Sequence, residues 1–133
     1  MPKYDPIMKR LGRLLPDDFV KWLCPNFNPQ QVTFEDREFE LTQRRVDLLY
    51  KVKTEDVGEF FLHLEFQGAW EKDFSVRLHE YSTRIRREFD LPVKTVAVFL
   101  DSSSTIRETE PVDRCELAGE LISEFHYTKI ILP

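Results

Sequence analysis

Arg45-Val46-Asp47-Leu48-Leu49-Tyr50-Lys51-Val52 and, after a short polar break, Glu59-Phe60-Phe61-Leu62-His63-Leu64-Glu65-Phe66-Gln67 decide the fold of this chain. Both halves alternate apolar and polar residues with the period of a half-buried β-strand. In the second half Phe60, Leu62, Leu64 and Phe66 share one face, and Phe61, His63, Glu65 and Gln67 share the other. In the first half Val46, Leu48 and Tyr50 alternate with Asp47, Leu49 and Lys51. The break, Lys53-Thr54-Glu55-Asp56-Val57-Gly58, is polar and ends in Gly, which suits a hairpin. Two antiparallel neighbours of this kind set Asp47 beside Glu65. A carboxylate inside an apolar strand is costly unless it is paired or holds a metal, so these two acids carry the functional reading.

On the N-terminal side, Asp5-Pro6 suits a helix start, with an acceptor at the cap and a residue that has no N–H to lose. Ile7, Leu11, Leu14 and Leu15 recur at helical spacing until Pro16 interrupts them. Pro16-Asp17-Asp18 opens a second short helix with Phe19, Trp22 and Leu23 on its apolar side. Pro25 and Pro29 mark a loop. Residues 32–41 are extended but heavily charged, and a strand is expected over 38–43.

On the C-terminal side, Phe74, Leu78, Tyr81, Ile85 and Phe89 form one helical stripe. Lys72, Arg77, Arg84, Arg86 and Arg87 lie on the polar face, and Leu91-Pro92 ends the helix. Val93-Lys94-Thr95-Val96-Ala97-Val98-Phe99-Leu100 reads as a strand buried on both faces. A loop over Asp101-Ser102-Ser103-Ser104 and a strand over 125–132 follow. The order is that of an α/β or α+β sandwich.

The 133 residues make one domain, 1–133, able to bury a single core. A hydrophobic share of 41% with eleven Phe places the chain among globular proteins rather than disordered ones. The net charge of −5 argues against a nucleic-acid binder over its whole surface, though not against a local basic patch. Cys24 and Cys115 lack metal-like spacing and read as free thiols of a reducing compartment. There is no signal-peptide core and no run of membrane-spanning length, so a soluble cytoplasmic protein without a membrane partner is expected. A Gly-rich phosphate loop, a Ser-His-Asp pattern and Cys/His zinc spacing are all absent, and no organic cofactor is implied.

Helix, three-strand meander, helix and strand, with Asp47 on one strand and Glu65-Phe66-Gln67 on the next, resembles the PD-(D/E)XK nuclease superfamily. With Arg77 and Tyr81 on the following helix, the pattern looks like its Rpn-type branch, the recombination-promoting nucleases also labelled YhgA-like putative transposases. The likeness runs over 5–133, and its sharp part over 45–81. It implies a restriction-endonuclease-like α-β-β-β-α-β core with a mixed sheet flanked by helices. It also implies a Mg²⁺- or Mn²⁺-dependent DNA endonuclease. Asp47 and Glu65 would bind the metal, joined by the Phe66 carbonyl. Gln67 stands where the superfamily has Lys, the residue that orients the attacking water. Gln can hydrogen-bond that water but brings no positive charge.

The chemistry fits the spacing. Phosphodiester hydrolysis needs charge neutralisation and a hydroxide-like nucleophile, and a hard cation held by oxygens supplies both. Arg77 and Tyr81, four apart, share a helix face, where Arg77 neutralises phosphate or steadies a carboxylate. Arg84 and Arg87, with Arg86, offer a phosphate-binding cluster. They equally suit cations at a helix C-terminus. Asp47 could instead pair with Arg45 or a neighbouring Lys, and Asp5 could join the metal site or simply cap its helix. His63 shares the Glu65 face without an assigned role. The alternative to an enzyme is a catalytically inactive domain that binds nucleic acid or protein. Cutting both strands with one site per chain calls for two copies, which leaves a homodimer open. The chain ends at Ile130-Ile131-Leu132-Pro133, inside an apolar strand, and relatives of the resembled type continue further, so a fragment of a longer protein is a third reading.

Overall fold

The computed structural model describes residues 4–35, 40–41, 44–45, 47–100 and 102–132, with the side chains of 4, 5, 40, 41, 44 and 45 outside that set. Two tandem helices come first, α1 (Tyr4–Leu14) and α2 (Pro16–Leu23). Pro16 separates them because it cannot donate into α1, yet its fixed φ suits the first turn of α2. α1 begins at Tyr4, one residue before the expected cap. The roles foreseen for the Asp5 and Arg45 side chains lie outside the described residues.

The strands follow. β1 (Pro29–Phe34) pairs antiparallel with β4 (Leu48–Thr54), placing Phe34 opposite Tyr50. This differs from the strand expected over 38–43. Within that stretch, Glu40–Leu41 (β2) pairs instead with Arg44–Arg45 (β3) in a separate two-strand arm, and 38–39 and 42–43 lie outside the described residues. The pattern of β1 is weak because it is an edge strand with only Val32 and Phe34 half-buried on the core side. Pro29 starts it, where an edge tolerates a missing donor.

β4 and β5 (Gly58–Gln67) form the foreseen hairpin, with Leu48 opposite Leu64 and Thr54 opposite Gly58. Gly58 closes it at φ 80°, a backbone state that costs other residues a steric clash. Next, α3 (Phe74–Phe89) crosses over to β6 (Val93–Phe99), which runs parallel to β5. α3 ends on Asp90 in the left-handed conformation.

The expected strand over 125–132 is two strands. A short helix, α4 (Ser104–Glu108), leads into β7 (Val112–Leu117) and β8 (Glu120–His126), a hairpin outside the main sheet. Ala118 and Gly119, both at positive φ, turn it. β9 (Thr128–Ile131) then joins the main sheet parallel to β6. The chain changes sheet at Tyr127, whose N–H donates to the Pro111 carbonyl.

The result is a mixed five-stranded sheet, β1-β4-β5-β6-β9, flanked by helices on both faces. Phe19, Val20 and Leu23 of α2 cover one face, against Leu48, Tyr50, Phe60, Leu62, Leu64 and Phe66. On the other face α3 packs in two places: Phe74 and Leu78 on Ala97 and Phe99, and Ile85 on Leu49 and Phe61. A strip of buried polar side chains, His63, Glu65, Gln67 and Thr95, lies on that same face of the sheet. The α1 stripe behaves differently from its reading: Ile7, Leu11, Leu14 and Leu15 are exposed, and Gly12 is the buried position. No described helix is long and apolar enough to cross a membrane.

Candidate active site

β4 starts at Leu48, so Asp47 sits in a bend just past the end of the ladder, in register with Glu65. Its N–H donates to Glu65 Oε1 at 3.1 Å. Its Oδ2 accepts from the Phe66 N–H at 2.8 Å, the donor that a continuing strand would have used. In an antiparallel ladder a residue's N–H and C=O point to the same neighbour, so the Phe66 carbonyl also faces the Asp47 side. Alternation along β5 keeps Glu65 on the α3 face, only 8% exposed.

The two acids are electrostatically strained. Burial raises the Asp47 carboxyl to about 7, and the neighbouring Glu65 charge adds to that, against the Phe66 N–H and Lys9. Burial raises Glu65 to about 7 as well, opposed by the Asp47 N–H, by a hydrogen bond with the Asp47 carboxyl, and by Arg77 and Lys9. The two groups are thus coupled, and near neutrality they titrate as a pair.

His63 is fully buried, and burial lowers its imidazole to about 4, with the Asp47 charge opposing. The ring is therefore neutral at pH 7. Its Nε2 lies 2.9 Å from Glu65 Oε1 and its Nδ1 3.3 Å from Thr95 Oγ1, which fits an Nε2–H donor and an Nδ1 acceptor. The Tyr81 ring stands edge-on to His63 at 5.8 Å. Only 3% exposed, Tyr81 braces that imidazole from α3 and does not share a surface with Arg84 and Arg87.

Gln67 and Arg77 come together, but around a third residue. The Gln67 amide donates to the Ala69 carbonyl and to Glu71 Oε1, each at 2.7 Å, and its oxygen accepts from Arg77 at 3.3 Å. Arg77 also reaches Glu71 Oε2 at 3.2 Å and Asp73 at 3.5 Å, and lies over the Phe74 ring. Arg84 and Arg87 lie apart from this group. With His79, Thr83 and Asp113 they line a groove of about 370 Å³ between the outer side of α3 and β7, which Glu80 also borders. His79 is held there by Asp113 at 2.8 Å and stacked on Phe125.

Lys9, His63 and Glu71 are the residues that sequence reasoning left without a place here. Lys9 Nζ lies 2.9 Å from Asp47 Oδ1. Period-two alternation signalled His63, and a Lys was one expected partner for Asp47, but nothing in the pattern singled out Lys9 for that place or pointed to Glu71.

The donors around Asp47 suit a hard cation. Two adjoining carboxyls and a backbone carbonyl are all oxygen, the set that Mg²⁺ and Mn²⁺ take with water filling the remaining positions. Among the described residues no group of three or more His, Cys, Asp or Glu side chains is arranged for a metal. Asp47, Glu65 and the Phe66 carbonyl are the oxygens nearest one another at this end of the hairpin that an ion could use. No protein-family model, curated protein or solved structure matches the chain.

Proposed function

We propose that this chain is a metal-dependent DNA endonuclease of the Rpn type, with a restriction-endonuclease-like core. The observation that carries the reading is the junction of half-buried Asp47 and buried Glu65, hydrogen-bonded to one another's strand at the open end of a hairpin. A stability-only role suits them poorly, because each has its carboxyl pushed toward the neutral form. Helices, three antiparallel strands, a crossover helix and a parallel fourth strand, the order expected of that core, support it further.

Asp47, Glu65 and the Phe66 carbonyl would hold the metal. A divalent cation there would supply positive charge for the phosphate and for activating a water. His63 orients Glu65, fixing which carboxylate oxygen remains for the metal. Gln67 and Arg77, locked together through Glu71, form the polar wall beyond Glu65. Arg84 and Arg87 hold the DNA backbone in the groove on α3.

A second reading, a binding domain with the same fold and no turnover, draws on the Gln67 hydrogen bonds. Both of its amide donors are already committed to Ala69 and Glu71 rather than to a water. Duplex DNA incubated with Mn²⁺ separates the two. Nicking that disappears in EDTA and in a folded Asp47→Asn variant supports the enzyme. Cleavage that survives either treatment refutes it, and metal-indifferent DNA binding without cleavage favours the second reading.

A further inference from the structure

Position 67 is a Gln, so strand β5 brings no cation to the phosphate. We infer that Lys9, on α1, is the cation of this site and contacts the phosphate that the metal holds. The inference rests on the nuclease reading of Asp47 and Glu65.

Three features support it. The first is how α1 is held. Gly12 is buried, and its carbonyl accepts from the Tyr50 hydroxyl at 2.9 Å. A Cβ at that position would run into the Leu48 side chain and lie 2.7 Å from Tyr50 Oη. The helix therefore lies with its backbone against β4. Lys9, one turn earlier, shares the face that Gly12 presents. The docking that requires Gly12 is what aims Lys9 at the end of β4.

The second is where its ammonium sits. Nζ is 2.9 Å from Asp47 Oδ1, while Oδ2 is the oxygen that takes the Phe66 N–H. The Lys9 side chain is 27% exposed against 13% for Asp47, so Lys9 is the more accessible of the two from solvent. A phosphate approaching the carboxyls from solvent meets it. An ammonium carries three N–H donors and binds phosphate as a point charge.

The third is that the hydrogen bonds of Arg77 go elsewhere, although its charge still reaches Glu65. Its guanidinium is spent on Glu71, Asp73 and Gln67, with 12% of the side chain exposed.

The test compares wild type with Lys9→Met and Lys9→Arg, checking by melting temperature that all three fold. Three quantities are measured: Mn²⁺ affinity without DNA, the gain in affinity for a mixed-sequence duplex on adding Ca²⁺, and single-turnover cleavage in Mn²⁺. Lys9→Met is expected to bind Mn²⁺ at least as well as wild type. Its Ca²⁺-dependent gain falls about tenfold, the worth of one charge-assisted hydrogen bond. Its cleavage falls about 100-fold, and Lys9→Arg recovers part of both. An unchanged Ca²⁺-dependent gain in Lys9→Met overturns the inference. So does a loss of Mn²⁺ affinity, which would make Lys9 a support for Asp47 alone. If wild type never cleaves, yet the gain is still lost in Lys9→Met, the nuclease reading fails and the phosphate contact stands.

Discussion

Asp47 and Glu65 are joined through main chain as well as side chain: the Asp47 N–H donates to the Glu65 carboxyl, and the Asp47 carboxyl accepts from the N–H of Phe66, the residue after Glu65. Each acid thereby fixes the backbone that presents the other. Two carboxyls held this way cannot spread apart when both ionise. Stability without metal and affinity for metal therefore oppose each other. Asp47→Asn keeps an acceptor for Phe66 and removes one charge. It is expected to stabilise the metal-free protein by about 1–2 kcal/mol at pH 8, the relieved burial of charge outweighing the lost pairing with Lys9, while Mn²⁺ affinity in calorimetry falls at least tenfold. A variant that is both less stable and equally good at binding Mn²⁺ contradicts this arrangement.

The same pair sets a pH dependence. Asp47 and Glu65 have folded-state values raised, to about 7, above their ordinary carboxylate values. The stability linked to them is fully present below the ordinary values and is lost as pH rises through the folded ones. His63 runs the other way, since its value is lowered to about 4. Its contribution is present above the ordinary imidazole value and is lost as pH falls through about 4. Two groups against one leave a net fall in melting temperature between about pH 5 and 7. Asp47→Asn with Glu65→Gln should flatten or reverse that slope. Mn²⁺ should raise the wild-type melting temperature more at pH 8 than at pH 5.5, because it binds the ionised pair. Equal metal-induced shifts at the two pH values would place the ion elsewhere.

Gln67 holds Glu71, Ala69 and Arg77 in one knot, so its removal leaves the Arg77 guanidinium and a carbonyl short of a partner. Gln67→Leu is expected to cost about 1–3 kcal/mol in urea unfolding. Gln67→Glu should recover Arg77 as a partner while repelling Glu71. A neutral Gln67→Leu would mean that this wall does not need its amide.

How much of this was readable from the residues depends on the range of the interaction. The alternation of Phe60, Leu62, Leu64 and Phe66 against His63, Glu65 and Gln67 is local, and the sheet obeys it. The hairpin register that sets Asp47 beside Glu65 follows from a short polar break closed by Gly58. Lys9 is different. Its place depends on α1 docking at Gly12, a position with no side chain to mark it. The conspicuous stripe of Ile7, Leu11 and Leu14 pointed to the wrong face of that helix. Edge strand β1 buries only half of a six-residue run, too little for a pattern. The β7–β8 hairpin was hidden because its turn begins with Ala118 rather than Asn or Asp. Tertiary docking and edge position erased these signals, whereas the central strands were specified by their own burial.

Gly12 offers a separate check on the helix that carries Lys9. Gly12→Ala puts a methyl group against Leu48 and Tyr50 Oη, so α1 must lift from β4. A loss of about 1–3 kcal/mol is expected from overpacking. Tyr50→Phe removes the hydrogen bond to the Gly12 carbonyl without adding bulk, and should cost about 1 kcal/mol. In both variants the exchange protection of α1 amides should fall more than that of α3. Equal protection in α1 would show that the helix is held by contacts other than these.

Arg84 and Arg87 make the DNA prediction that needs no metal. Both line the groove on the outer side of α3, where the His79 ring is fixed between Asp113 and Phe125. A backbone lying there gains affinity by releasing counterions, so binding weakens steeply with salt. Measured in EDTA against a duplex oligonucleotide, the slope of log affinity against log salt should become shallower by about 0.9 for each of Arg84→Ala and Arg87→Ala. Arg13→Ala, on the exposed side of α1, serves as a control that removes equal charge from another surface. If it flattens the slope as much as the groove variants, the attraction is a property of net charge and the groove has no special part in it. If the groove variants alone do so, the backbone is held on α3, and the metal-site variants should leave that slope unchanged.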